Sequence, residues 1–265
     1  MEQIRIDSWI ELQEQLFADS WNAELHRHRS NYAFRGRGDA ADSLVTSLLK
    51  LGGDAAELER HLLRNFRKYA TLDAVPFDSP WNWLALGQHF GLPTRLLDWT
   101  FSPYVALHFA TASTDRFDRD GVVWMIDYVR AHELAPARFR DALAEEGANV
   151  FTTEMLATAA GDLDALAQPG EDFVLFVEPP SFDERIVSQY ALFSLLSRPD
   201  RPLDAWLEEH SDLARRVVIP GELKWELRDK LDQAGVNERV LFPGLEGLTR
   251  WVSRYYAPRP GRKAN

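Results

Sequence analysis

The chain has 265 residues, 45% of them hydrophobic and 12% aromatic, enough to bury a large core in one domain or two modest ones. It carries 30 basic against 41 acidic residues, a net charge of −11, which argues against a broad basic face for nucleic-acid backbones and leaves room for a local basic pocket. Cysteine is absent, which excludes disulfides, thiolate catalysis and Cys-ligated zinc; no apolar run approaches the ~18 residues of a membrane span, so a cytoplasmic protein without membrane contact is expected.

Asp7 and Ser8 before WIELQEQLF predict an N-cap and an amphipathic first helix. NYAFRGRG, residues 31–38, reads as a short strand running into a glycine-rich turn. Over 54–72, Leu58, Leu62, Phe66 and Tyr69 recur at helical spacing. WNWLALGQHFG predicts a helix stopped by Gly91 and Pro93, and Ser102 with Pro103 opens another, serine as cap and proline at the first helical position. DGVVWMIDY is a strand. Residues 131–172 turn to Ala, Asp and Glu with few large apolar side chains, and read as a peripheral insertion of helices and loops. FVLFVEPP is a short strand; ERIVSQYALFSLLS looks strand-like at both ends, with helix an option over 188–192. DAWLEEH, ELKWELRDKLDQAG and LEGLTRWVSRYYAP read as helices, RRVVIP as a strand, and 259–265 as a disordered basic tail. Strands and helices mix without strict alternation, so the expected fold class is α+β, in a single mixed domain.

The stretch GQHFGLPTRLLDWTFSP, residues 87–103, sets a histidine, an arginine, an aspartate and hydroxyls among Phe, Leu and Trp. Two readings stand side by side, a buried polar network or the floor of a site. Arg35, at the end of its strand, offers a planar fork that matches phosphate or carboxylate, or else a surface ion pair beside a turn. Arg95 and Asp98, three apart, would pair within a helical segment. Gln88 and His89 end a helix and face either a pocket or the core; His108, six beyond Ser102, belongs to the core. Ser102 caps a helix whose free N–H groups also suit phosphate or ribose oxygens. Arg35, Arg37, Arg95 and Arg185 together would make a phosphate pocket in an acidic protein. There is no HExxH, GxSxG, GxGxxG or GxxxxGK[ST] pattern, so no metal is expected and neither a serine-hydrolase elbow nor those nucleotide loops is present.

Phe34-Arg35-Gly36, QHFGLPTRLLDWTFSPYVALHFA and ERIVSQYALF together resemble the FRG domain family of prokaryotes and phages, over roughly residues 8–256, which implies one domain across 1–258. A more distant resemblance is to the arginine-type ADP-ribosyltransferases, in which a strand ending Tyr/Phe-Arg-Gly holds NAD. There a Ser-Thr-Ser motif and its following helix shape the nicotinamide pocket; Thr100-Phe101-Ser102 and the helix after it are similar. This resemblance implies a central, largely antiparallel split sheet flanked by helices, with NAD as substrate. It implies that Arg35, Ser102, Glu184 and Gln189 are catalytic, Glu184 standing for the family's ribose-polarising glutamate ahead of Glu178. Phe34, Arg35, Gly36, His89, Arg95, Asp98, Thr100, Tyr104 and Arg185 would bind NAD. A protein or nucleic-acid acceptor, a toxin or anti-phage role and an antitoxin or other regulatory partner follow from the same likeness. The alternatives are a nucleotide- or nucleic-acid-binding module without transferase activity, and a non-catalytic recognition domain in which alanine at Asp98 or Arg95 would unfold the chain.

Overall fold

A computed structural model describes residues 1–71, 74–166 and 172–258. The chain opens with β1 (Glu2–Arg5), α1 (Trp9–Leu16), the hairpin β2 (Trp21–Asn22) and β3 (Arg27–His28), β4 (Tyr32–Arg37), α2 (Ala55–Tyr69) and α3 (Pro80–His89). Its middle holds β5 (Leu96–Thr100), α4 (Pro103–Ala110), β6 (Gly121–Asp127), α5 (Tyr128–Glu133), α6 (Ala137–Glu146), β7 (Phe151–Thr152) and α7 (Thr153–Ala159). It closes with β8 (Val174–Glu178), α8 (Glu184–Ser188), β9 (Ala191–Leu196), α9 (Leu203–Glu209) and β10 (Ala214–Ile219), then α10 (Lys224–Gln233), α11 (Glu238–Leu241) and α12 (Leu245–Tyr256). Helix starts follow local chemistry: the side chains of Ser8, Asp54, Ser79, Ser102 and Asp183 accept backbone N–H groups at the heads of α1, α2, α3, α4 and α8.

Eight strands form one sheet in the order β1-β10-β6-β4-β5-β9-β8-β7, and helices flank it. The inner pairings are antiparallel; the outermost, β1 with β10 and β7 with β8, are parallel. The domain is therefore α+β with a continuous mixed sheet rather than two separate sheets. It is narrowed at one seam. β4 meets β6 along its whole length, from Tyr32↔Asp127 to Arg37↔Val122, and β5 meets β9 from Leu96↔Leu195 to Thr100↔Ala191. Between β4 and β5 the only register pair is Phe34↔Thr100.

Strand alternation sorts the core accordingly. On one face, Phe34, Val123, Met125, Val217 and Ile219 pack under α1, α4 and α10, while Leu96, Leu175, Val177, Phe193 and Leu195 pack under α2, α3, α6 and α7. These two cores lie on either side of the seam. On the other face a single core, built on Leu97, Trp99, Trp124, Phe176 and Leu192 and covered by α5 and α9, runs straight across it.

Two expectations change, and one stretch left unassigned by the sequence gains a structure. ERIVS is helix α8 followed by a turn through Gln189 and Tyr190 (φ +48°), and only Ala191–Leu196 is strand; the Asp183 cap accepting from Arg185 and Ile186 outweighs the β-branched residues. LLDWT, which has no clean alternation, is strand β5, buried from both faces except at Asp98. Residues 131–166 are no surface decoration: β7 extends the sheet, and Phe139, Phe151 and Leu156 are fully buried beneath α3. The basic tail 259–265 lies outside the described residues. Among the described residues no helix is long and apolar enough to cross a membrane.

That segment also buries His132. Its Nδ1 donates to the Asn149 carbonyl (3.0 Å) and its Nε2 accepts the Phe176 N–H (2.8 Å), so protonation must break the second bond. Burial drives its pKa down to about 4; His108, buried beside the Arg228 guanidinium, is driven down to about 3. The unfolded chain binds protons to these rings near pH 6.5 and the native chain does not, so stability falls as pH drops below 6.5. We expect a loss of about 2 kcal/mol per histidine at pH 5 relative to pH 7. Urea unfolding at the two pH values checks this, and equal free energies would refute it.

Candidate functional site

Beyond Phe34↔Thr100 strands β4 and β5 part, and the fork between them opens into a cavity of about 780 Å³. Arg35 bridges the fork: a terminal guanidinium nitrogen donates to the Asp98 carbonyl and lies 3.8 Å from the Asp98 carboxylate. The side chain is only 16% exposed, and burial lowers its pKa, although a guanidinium stays charged. Arg37, two residues on, shares its strand face and donates to Asp42 at 2.8 Å; Arg116, from the turn after α4, reaches the same carboxylate at 3.4 Å. Arg185 enters from α8 with its guanidinium 5.3 Å from the centre of the Phe242 ring. Phe34, Trp99, Phe109 and Phe193 supply apolar walls. The Nε atoms of Arg35 and Arg37 are buried with no hydrogen-bond partner among the described residues.

Gly36 has a packing reason to be glycine. A Cβ there would sit 1.8 Å from the Ala106 carbonyl oxygen and 2.6 Å from the Ala110 nitrogen, because α4 crosses β4 backbone to backbone. On the far lip, Gln88 Nε2 donates to Asp98 Oδ1 (2.9 Å) while Gln88 Oε1 accepts the Thr94 hydroxyl (2.5 Å). The Thr94 N–H in turn donates to Ser47 Oγ (3.1 Å), and the turn before it passes through Gly91 at φ +84°. The glutamine, threonine and aspartate of the long central motif thus form one chain of bonds ending behind Arg35.

Residues 30–119 match the family model of the FRG domain. Searches of curated proteins and of solved structures gave no match. The FRG match runs from β4 through α4 to the turn that carries Arg116, so it contains both lips of the cleft. The resemblance over 8–256 is supported over that shorter span, and α8 and β9 lie beyond it.

Of the residues expected at the site, Phe34, Arg35, Gly36, His89, Asp98, Thr100, Arg185 and Gln189 line the cleft. The Thr100 hydroxyl is spent on the Gln189 carbonyl (2.7 Å), and Gln189 Nε2 donates to the Leu241 carbonyl (2.9 Å), which ties β5 to α8 and α11. His89 Nε2 lies 2.6 Å from Asp183 Oδ2 across the end of α3. Burial alone would raise the Asp183 pKa, but the bonds from His89 and from the Ile186 and Arg185 N–H groups hold it below the usual carboxylate range.

Four expected residues are placed elsewhere. Arg95 points away from the cleft into a buried fork with Glu59 (Nε to Oε2 2.8 Å, to Oε1 3.0 Å) and donates to the Ser197 carbonyl (3.2 Å). It does not pair with Asp98, because the segment is a strand and residues three apart lie on opposite faces. Ser102 keeps to its cap, accepting from the Val105 N–H at 3.4 Å. Tyr104 stacks on Trp9 with ring centres 6.2 Å apart and donates to Gln13, on the α1 side. Glu184 is exposed in the first turn of α8 and does not line the cavity, and neither does Glu178. The carboxylates that do line it are Asp42 and Asp98.

Sequence reasoning missed Asp42, Arg116 and Asp183. Arg37 was readable, since two arginines two apart on a strand share a face; Asp183 was readable as a cap before ERIV; Arg116 and Asp42 carry no local signal. Among the described residues no cluster of three or more His, Asp and Glu side chains is arranged to hold a metal ion.

Proposed function

We propose that the FRG cleft binds a phosphorylated nucleotide, with NAD as the ligand, and that the chain acts on it as an ADP-ribosyltransferase-like enzyme. The observation that carries the binding half is the convergence of Arg35, Arg37, Arg116 and Arg185 on a cavity with two carboxylates, in a chain of net charge −11. Guanidinium forks match phosphate oxygens, and an enclosed site strengthens each bond relative to water. A volume of about 780 Å³ with aromatic walls accommodates a dinucleotide. The transfer half is favoured by the arrangement of Arg35 on β4, Thr100 on the neighbouring β5 and Gln189 at the end of α8, two residues before β9, in the order the resemblance implies. A protein or nucleic-acid acceptor would approach from the open side of the cleft.

Calorimetric titration with NAD, ADP-ribose and nicotinamide riboside tests the binding half. The two pyrophosphate ligands should bind and the unphosphorylated riboside should not. Arg185→Ala, an exposed position, should weaken ADP-ribose binding roughly 10-fold or more, about the loss of one charge-assisted contact. Equal affinity for ADP-ribose and the riboside would remove the reading.

A further inference from the structure

The transfer reading also needs a base, and Glu184 stands outside the cleft. A hydroxyl that attacks the ribose must lose its proton to something, and the cavity contains few acceptors. Asp42 already receives Arg37 and Arg116, and Asp98 already receives Gln88 and faces Arg35. Gln189 is an amide whose nitrogen is bonded to the Leu241 carbonyl. The remaining titratable base lining the cavity is His89.

His89 is held in a definite way. Asp183 divides its carboxylate: Oδ1 caps α8 by accepting the Arg185 and Ile186 N–H groups (2.9 and 3.2 Å), while Oδ2 lies 2.6 Å from His89 Nε2. An ionised carboxylate only accepts, so the neutral ring carries its proton on Nε2 and its lone pair on Nδ1. Among the described residues Nδ1 has no protein partner. Phe90 meets the ring edge-on at 4.9 Å between centres, Phe182 lies at 6.5 Å, and the side chain is 7% exposed. A third group thus orients a base, as in hydrolytic triads, with the two ring nitrogens exchanged.

We propose that His89 is the general base of this cleft and that Asp183 is the positioning residue that fixes its tautomer. The proposal rests on the NAD reading. In the step, the bond between the nicotinamide nitrogen and the anomeric carbon breaks with both electrons going to nitrogen, which leaves as neutral nicotinamide. Oxygen of water or of an acceptor hydroxyl forms the new bond to that carbon, and its proton passes to His89 Nδ1 and then to solvent.

The test follows nicotinamide release from NAD by the full chain, with His89→Ala and Asp183→Asn alongside and thermal melting to establish that each variant folds. His89→Ala should lose on the order of 100-fold in rate, and added imidazole should restore part of it. Asp183→Asn keeps the cap acceptor at Oδ1 but can set a donor opposite Nε2, which moves the ring proton to Nδ1. It should lower kcat with KM unchanged. An active wild type with an undiminished His89→Ala, or one that imidazole does not restore, would overturn the base assignment and leave the NAD reading intact. A wild type that releases nothing, even with cell lysate as acceptor, would overturn the NAD reading and the base with it.

Discussion

Gly36→Ala is expected to yield no folded protein. The added methyl would meet two backbone atoms of α4, at 1.8 and 2.6 Å, and backbone cannot rotate away as a side chain can. Relief would require α4 to lift off β4, which would strip Phe34, Ala106, Leu107 and Ala110 from one of the three cores. The cost exceeds ~4 kcal/mol, a large part of the stability of an ordinary domain. Gly91→Ala serves as the control. Nothing lies within 4 Å of a Cβ there, so only its φ of +84° opposes the change, at about 1 kcal/mol. Soluble yield and thermal unfolding of the two variants check the contrast. A Gly36→Ala protein melting within a few degrees of wild type would mean that α4 does not rest on β4 as described. The glycine of the Phe-Arg-Gly motif is then a packing residue, whatever the arginine beside it binds.

Arg95→Ala should destabilise the chain by about 3–5 kcal/mol, because it strands the Glu59 carboxylate in a core where both side chains are 6% exposed or less. Arg95→Met combined with Glu59→Leu should recover most of that loss, since removing both charges leaves no buried charge unpaired and only the Ser197 carbonyl without its Arg95 donor. Asp98→Ala, only a few residues along the same motif, should cost far less, because its side chain is 63% exposed. Urea midpoints of the four proteins decide the matter. If Arg95→Ala and Asp98→Ala were equally damaging, the motif would be one structural brace, as the recognition-domain alternative requires. If they separate as expected, Arg95 belongs to the scaffold and Asp98 to the cleft.

The legible parts of this chain were those written in neighbouring residues. The strand under Phe-Arg-Gly, the serine–proline start of α4, the helical spacing of α2 and the assignment of His108 to the core all rest on interactions within a few positions. What was illegible depends on distant partners. Arg95 turns inward because Glu59, thirty-six residues earlier, sits mid-helix on the buried face of α2, and nothing near Arg95 announces it. Tyr104 faces α1 because Gln13 and Trp9 lie there. Glu184 and Asp183 are adjacent, yet the helix cap turns one toward His89 and leaves the other in water; a one-residue choice of that kind is settled by backbone direction and not by residue type. β5 was hidden because a strand buried from both faces has no alternation to read.

The narrow seam between β4 and β5 also bears on how the molecule is assembled. In chain order, β1 and β4 lie on one side, β5 on the other, β6 back on the first, β7 to β9 on the second, and β10 on the first again. The chain therefore laces the two sides together, and the core beneath the sheet spans both, so neither side is a contiguous stretch able to fold by itself. The FRG match, 30–119, contains both lips of the cleft but neither β6 nor β9, the strands that brace them. The stretch that matches the family model is thus shorter than the laced sheet that holds the cleft open.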